Sequence, residues 1–506
     1  MRVCRVACQV AVILFALCHQ SAVKAGSGAV DLGSKTQLFV DQHLVRQSSG
    51  VSFTLHPAAK HPQNPVVRPD RQWEGSCVQL YGTVLYDADE RQFKMWYTCL
   101  PSDYFARAAT CYAVSRDGLR WEKPPVGTIR SPSGKPHNAV ADCVLASVTK
   151  DSRDADSRRR YKMLCFVDDR GFVTKVSPDG LRWEDESPGP IVPISYVEDV
   201  VTGFWHDKLN RHVAFPRLMY PVAGRSRRCF WLATSGDFKS WSKPELVFAP
   251  DARDDAGSLA RVEQVRKLLD VPDNPNVMRT EFYGVGAYPA ESCTIAFPWV
   301  FTVNANDRFG NQDGPIEIQL AASRDLVHWS RPFRLPCIAR SSLDQWDCGM
   351  MTTAARAIDV GDEVWLYYGA MSYTHGDPRG YGKKGKPGLP KYQSAIGLAR
   401  WPRDRFVSVD GPSEGGSLTT VPITFTGSKL EINCRTKPGG EVQVELLDAA
   451  GKPIDRFATS DRTGGDALRH VVTFGGSSNV APLAGKPICL RFRLKSAELY
   501  SFAFRP

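Results

Sequence analysis

The chain is 506 residues long, 42% hydrophobic and 10% aromatic, which is ample for a sizeable core and too long for one ordinary domain, so two domains are expected. Its formal net charge of +10 comes from 64 basic and 54 acidic residues scattered along the sequence. Without a basic stripe flanked by aromatics, that charge argues for a solvated surface and against a nucleic-acid partner.

Arg2 and Arg5 precede an apolar run from Val6 to Cys18, and Val23-Lys24-Ala25 follows before Gly26. This is the order of a secretory signal cut after Ala25, so residues 1–25 are read as a leader and the mature protein as secreted or periplasmic. A lipid anchor at Cys18 is the weaker reading, because bulky Leu17 stands where a small residue is wanted. Losing Arg2, Arg5 and Lys24 lowers the net charge to +7 from the +10 of the whole chain. No later run reaches the roughly 18 apolar residues of a membrane span. Of 14 cysteines, Cys4, Cys8 and Cys18 leave with the signal, and the remaining 11 cannot all pair among themselves. Cys99 and Cys111 flank a single loop and are placed to bridge a hairpin in an oxidising compartment. Most others, such as Cys165 within Tyr161–Val167, sit in apolar runs as small buried hydrophobes. No Cys/His pair has the close spacing of a zinc site, so neither a metal nor another cofactor is expected.

An internal repeat decides the fold class. It reads Ser115-Arg116-Asp117-Gly118-Leu119-Arg120-Trp121, then Ser177-Pro178-Asp179-Gly180-Leu181-Arg182-Trp183, Ser235-Gly236-Asp237-Phe238-Lys239-Ser240-Trp241, and Ser323-Arg324-Asp325-Leu326-Val327-His328-Trp329. The Ser and Asp side chains of such a motif bond backbone groups in a tight turn while the Trp packs between sheets, so these residues are read as structural. Ahead of each copy runs an aromatic-rich strand: Phe93–Tyr97, Tyr161–Cys165, His212–Phe215 and Cys293–Phe297, with a fifth at Val364–Tyr368. Helical periodicity is confined to Ser258–Leu269, read as one inserted helix. Five units of short antiparallel strands predict an all-β chain: a five-bladed β-propeller over residues 26–410, then a small β-sandwich over residues 417–506. Between them Asp410–Gly416 has the composition of a linker, and beyond it Leu430–Asn433, Val442–Leu447 and Cys489–Leu494 alternate apolar and polar residues.

In a propeller the innermost strand of each blade starts at one mouth of the central channel. An acidic residue stands at every such start: Glu74, Asp142, the pair Glu198-Asp199, Glu281 and Asp347. Clustered carboxylates repel, which separates their pKa values and suits hydrolysis of a glycosidic bond: one carboxyl protonates the leaving oxygen while another attacks the anomeric carbon or activates water. Glu74, Asp142, Asp199 and Glu281 are the catalytic candidates. Glu198, Asp347, Arg217, Tyr97 and His375 are candidates for holding substrate, through aromatic stacking and arginine contacts from the loops at Tyr97–Tyr104, Arg217–Tyr220 and Tyr367–His375. The basic run Gly380–Lys386 leaves room for an anionic polysaccharide.

From Val30 to Val409 the chain resembles glycoside hydrolase families 32 and 43, the invertase and arabinanase type of five-bladed propeller. The resemblance implies three acids on successive blades, a base or nucleophile, a tuning carboxylate and a general acid, which fall on Glu74, Asp142, and Glu198 or Asp199. Glu74 stands where those families use Asp, the Asn-Asp-Pro-Asn and Glu-Cys motifs of invertases do not occur, and Glu281 is a rival general acid. Leu38-Phe39-Val40-Asp41, Trp73-Glu74-Gly75 and Leu499-Tyr500-Ser501-Phe502 resemble secreted family-32-like hydrolases of planctomycete-like bacteria. A carbohydrate-cleaving enzyme is the leading expectation. The alternatives are a carbohydrate-binding propeller without activity and a sialidase-like enzyme, since the Asp/Trp turns resemble the Asp-boxes of sialidases.

Overall fold

The computed structural model describes residues 28–75, 77–100, 108–131, 133–167, 170–186, 191–192, 197–269, 271–308, 310–376 and 393–506. Residues 1–25, read from the sequence as a leader, lie outside the described residues, among which no helix is long and apolar enough to cross a membrane. The chain is nearly all β and divides into two compact units. One holds Lys35–Gln42 and Leu55–Ser408; the other holds His43–Thr54 and Val409–Pro506, together with the described residues up to Ser34.

In the larger unit, three separate sheets each have four antiparallel strands in chain order. The first runs Val78–Asp87, Gln92–Cys99, Ala109–Ser115 and Ala139–Ala141. The second starts at Val144–Lys150 and the third at Val197–His206. Apart from the short pair Ala305–Asn306 and Gln312–Asp313, the strands that follow, from Arg279–Pro289 to Ser394–Pro402, form one larger sheet whose two halves meet through a parallel contact of Ile316 with Met350. Ala59–Lys60 lies antiparallel on the last of these strands, Lys60 opposite Ala399.

The core sits between successive sheets, because each strand carries apolar side chains on both faces. Trp96 and Tyr112 of the first sheet pack with Tyr161 and Met163 of the second. Leu164 and Phe172 pack with Val201 and Ala214 of the third, and Phe204 and Phe230 with Phe282 and Val285 beyond it. Met95 and Tyr97 meet Trp365, Tyr367 and Leu398, which brings the last strands back onto the first sheet. Buried ion networks join the sheets as well. Asp87 takes Lys94 at 3.0 Å from its own sheet, and Lys150 at 2.5 Å and the Tyr161 hydroxyl at 2.7 Å from the next. Asp151 repeats this with Lys162 at 2.8 Å and His212 of the following sheet at 3.5 Å.

All four repeats form the expected turn. Asp117 Oδ1 accepts the N–H groups of Leu119 and Arg120, Ser115 Oγ accepts that of Gly118, and Trp121 Nε1 donates to the Gly118 carbonyl. The turn needs a left-handed residue, supplied by Gly118 and Gly180 at φ of 74° and 79°, and by Phe238 and Leu326 at 66°. The two non-glycine residues tolerate that conformation because their side chains are buried between sheets, in the same clusters as Ala233 and Val285. Trp121 meets Tyr367 edge-on at 5.8 Å.

The amides of Ser240 and Lys239 hold the Asp237 carboxyl at about 2. Burial opposes the charge of Asp325, yet His328 and two amides bring it to about 2 as well. An unfolded aspartate titrates near pH ~4, so the stability these turns contribute is complete above that value and is lost as pH falls toward about 2. Thermal scans between about pH 5 and 2 are expected to show the melting midpoint dropping through this window; a flat midpoint would contradict the assignment.

The helical insert is shorter and more broken than its sequence pattern predicts. Helices cover Ala252–Ala256 and Ser258–Glu263, and a 3-10 turn covers Arg266–Leu268. Asp251 caps the first by accepting from Arg253 and Asp254. The buried Val262, Val265 and Leu268 recur every third residue, a spacing that suits 3-10 geometry better than an α-helix.

In the smaller unit the strand Lys429–Asp448 pairs antiparallel with Ile488–Arg505 across most of its length, with two register shifts. Gly416–Thr420 bridges Val45–Ser49 to the same long strand. Asp410 and Gly411, expected in a linker, instead end the strand Val407–Gly411 opposite Glu498 and Ala497. Their neighbours Val407 and Val409 are fully buried, which extends the strand into the polar run.

Candidate active site

Of the six acidic residues at the strand starts, the five with described side chains, all but Glu198, each lie beside a cation. Glu74 ends the 3-10 turn Gln72–Glu74 and is buried. Its carboxylate accepts from the amides of Asp70 and Arg71 at 2.9 and 3.0 Å, from the Tyr97 hydroxyl at 2.6 Å and from Lys123 Nζ at 2.7 Å. Tyr97 is buried too, and its oxygen accepts from Asn138 Nδ2 at 2.8 Å. Burial, with Cys99, Cys111 and Glu74 alongside, pushes the Tyr97 phenol well above its usual value, so it acts as a neutral donor. Glu281 is buried between Arg228 Nη1 at 2.5 Å and Arg279 Nε at 2.6 Å. Asp347, also buried, takes Lys60 Nζ at 2.5 Å and the Tyr368 hydroxyl at 3.0 Å. A buried carboxylate without such a partner would be strongly destabilising, so these three pairs are a condition of the fold.

Asp142 and Asp199 differ. Their side chains are 79% and 51% exposed, open to a ligand. Asp142 stands 3.9 Å from Lys175, which is directed mainly to Asp185 at 2.7 Å. Asp199 is bonded by the Nη2 group of Arg217, whose buried guanidinium also donates to the Tyr283 carbonyl at 2.8 Å and lies 4.4 Å above the Tyr283 ring. The side chain of Glu198 lies outside the described residues, as do Tyr104 and the Gly380–Lys386 run.

His375 joins this corner. Its Nδ1 is 2.6 Å from the Gln312 carbonyl and its Nε2 is 3.2 Å from the Tyr283 hydroxyl. A carbonyl only accepts, so Nδ1 carries the proton and Nε2 receives the tyrosine hydrogen. Burial, with Arg228 and Arg217 nearby, pushes the imidazole down to about 4 despite the opposing Gln312 bond and Asp199 charge. His375 is thus neutral at physiological pH. Unfolded histidine takes up its proton near pH ~6.5, so stability falls between about 6.5 and 4 as pH drops and then levels off. An NMR titration, with His375→Gln to assign the signal, should find one imidazole with its midpoint near 4; a midpoint above 6 would contradict the packing described.

Behind the strand starts, Tyr81, Leu145, Val200, Trp299 and Thr353 border a cavity of about 10 Å³, room for roughly one water molecule. Tyr81 meets Tyr283 edge-on at 6.5 Å and Trp299 at 5.5 Å. Sequence reading passed over Lys123, Arg228, Arg279, Tyr81 and Tyr283. Two signals were available. In three repeats a basic residue stands two places after the Trp and just before Pro, as Lys123, Lys243 and Arg331. Lys123 pairs with Glu74, and Arg331 is ion-paired with buried Asp254. Arg225, Arg227 and Arg228 also crowd the start of the strand Arg225–Ser235.

No protein-family model matches the chain, and no curated protein matches it either. Among solved structures it is similar to a glycosyl hydrolase from Bacteroides ovatus, with 11% identity over 70% of this chain and 95% of that one, at a TM-score of 0.42. It is similar to an exo-inulinase from Aspergillus awamori, with 12% identity over 88% of this chain and 98% of that one, at a TM-score of 0.39. An N-acetylgalactosamine deacetylase from F. plautii shares 13% identity over 74% of this chain and 94% of that one, at a TM-score of 0.37. At this distance the functional reading rests on the chain's own side chains.

Proposed function

We propose that the larger unit is a five-bladed β-propeller that cleaves glycosidic bonds at the mouth where its inner strands begin, using Asp199 with Asp142 as the second carboxylate. Three four-stranded sheets in chain order, and a larger sheet whose halves touch through Ile316 and Met350, support a count of five. The observation that carries the reading is Asp199: a carboxylate open to solvent, oriented by a buried arginine, beside Tyr283 and His375. Such a group suits attack on an anomeric carbon or activation of water, while a carboxyl on the neighbouring inner strand serves the leaving oxygen. Glu74, Glu281 and Asp347 then position the mouth through their ion pairs. Residues 1–25 are a secretory leader in this reading, and residues 417–506 a separate β-sandwich.

A second reading, a propeller that binds carbohydrate without cleaving it, draws on those same buried ion pairs, since Glu74, Glu281 and Asp347 are already saturated. Turnover of aryl glycosides and polysaccharides by the whole protein, with Asp199→Asn and Asp142→Asn measured beside it, decides between them. Loss of turnover in Asp199→Asn supports hydrolysis. Wild-type rates in both variants overturn the assignment, and glycan binding without any turnover favours the second reading.

A further inference from the structure

All of the cysteines from Cys77 onward are buried, and two of them meet at the mouth end of the first sheet. Cys99 ends the strand Gln92–Cys99 and Cys111 lies near the start of Ala109–Ser115, the next strand of that sheet. In the ladder Cys99 faces Ala109 and Cys111 faces Tyr97, so the two thiols are diagonal neighbours, and their sulfurs are 2.7 Å apart. Cys143, by contrast, is directed at the Met163 sulfur at 3.5 Å, although it also borders Cys165. We propose that Cys99 and Cys111 are joined by a disulfide in the mature protein, a link that ties the two strands beneath the Tyr97–Glu74–Lys123 contact.

The inference stands on four observations: adjacent strands, diagonal register, sulfur-to-sulfur contact, and full burial, which keeps competing thiols and water away. It does not depend on the chain being a hydrolase. The chemistry needs a disulfide donor, either glutathione disulfide or the disulfide form of a protein oxidant. One cysteine thiolate attacks the donor's S–S bond and releases a donor thiol; the second cysteine then attacks the mixed disulfide and releases the other. Two cysteine thiols lose two electrons and two protons, and the donor disulfide becomes two thiols. The folded pair cannot start this reaction readily, because burial and the neighbouring Cys111 thiol raise the Cys99 thiol well above its ordinary value. The bond therefore forms while the hairpin is still open, during folding. Closing so short a loop restricts the unfolded chain and stabilises the native hairpin.

Trypsin separates the partners, since it cuts after Lys94, Arg107 and Arg116 and leaves Cys99 in Met95–Arg107 and Cys111 in Ala108–Arg116. The reduced, denatured full-length protein is refolded in a glutathione/glutathione-disulfide buffer, its free thiols are alkylated under denaturing conditions, and it is digested without reductant. The expected result is the two peptides joined, lighter by two hydrogens than their sum, and separated by reductant. The melting midpoint of the refolded protein should also fall by several degrees on reduction, while the Cys99→Ser/Cys111→Ser double variant should not respond to reductant. Recovery of both peptides singly and alkylated, or of Cys99 joined to another cysteine, overturns the proposal.

Discussion

Asp199→Asn is expected to lower kcat about 10²–10⁴-fold, the usual contribution of a positioned acid or base, and to leave the fold nearly as stable as before. The stability change is small because the Asp199 carboxylate is 51% exposed and Arg217 keeps its bond to the Tyr283 carbonyl. Asp199 is screened by solvent, and the asparagine oxygen still accepts from the buried Arg217, so the loss is expected to stay at about 1 kcal/mol. Glu281→Gln should show the opposite balance. The amide cannot satisfy both Arg228 and Arg279 inside the protein, so a loss of about 1–3 kcal/mol is expected. The molecules that remain folded should turn over near the wild-type rate. Denaturation midpoints combined with rates per folded molecule separate the two behaviours. A Glu281→Gln protein that is stable but inactive would move the chemistry from Asp199 to Glu281.

Lys123→Met is expected to be the most destabilising of these changes, by about 3–5 kcal/mol, because it leaves a carboxylate in the interior with only neutral donors. Glu74 would keep Tyr97 and two backbone amides, but they do not replace a full charge at 2.7 Å. Chemical denaturation measures the loss. Pairing the change with Glu74→Leu removes the orphaned charge, so the double variant should regain much of the stability, and a double-mutant cycle gives the coupling directly. Additive losses would mean that the two side chains do not depend on one another.

The parts of the fold that could be read from the sequence are those written in local chemistry. A Ser two residues before Asp, with Trp four residues after it, specifies a turn whatever surrounds it, and the aromatic-rich runs expected as strands lie within observed strands, except Cys293, which just precedes Thr294–Val303. The acidic residues at strand starts were legible for the same reason. Their partners were not. Lys123 lies 49 residues from Glu74, Arg228 lies 53 from Glu281, and Lys60 lies 287 from Asp347. No periodicity links positions so far apart, and only the assembled sheets show that each carboxylate has met a cation. The inserted helix misled for a related reason: its apolar spacing was visible, but Asp251 and the every-third burial of Val262, Val265 and Leu268 chose the local geometry.

The pairing of Ala59–Lys60 with Ser394–Pro402 sets an order of events. A segment made early has no partner until more than three hundred further residues have been synthesised, so during translation its backbone hydrogen bonds go to water. That contact closes one of the longest loops in the larger unit, and it adds to the non-local pairings that slow β-rich folding. Until it forms, one strand edge stays available to any other chain, which makes the last step of assembly also the moment of greatest exposure to aggregation.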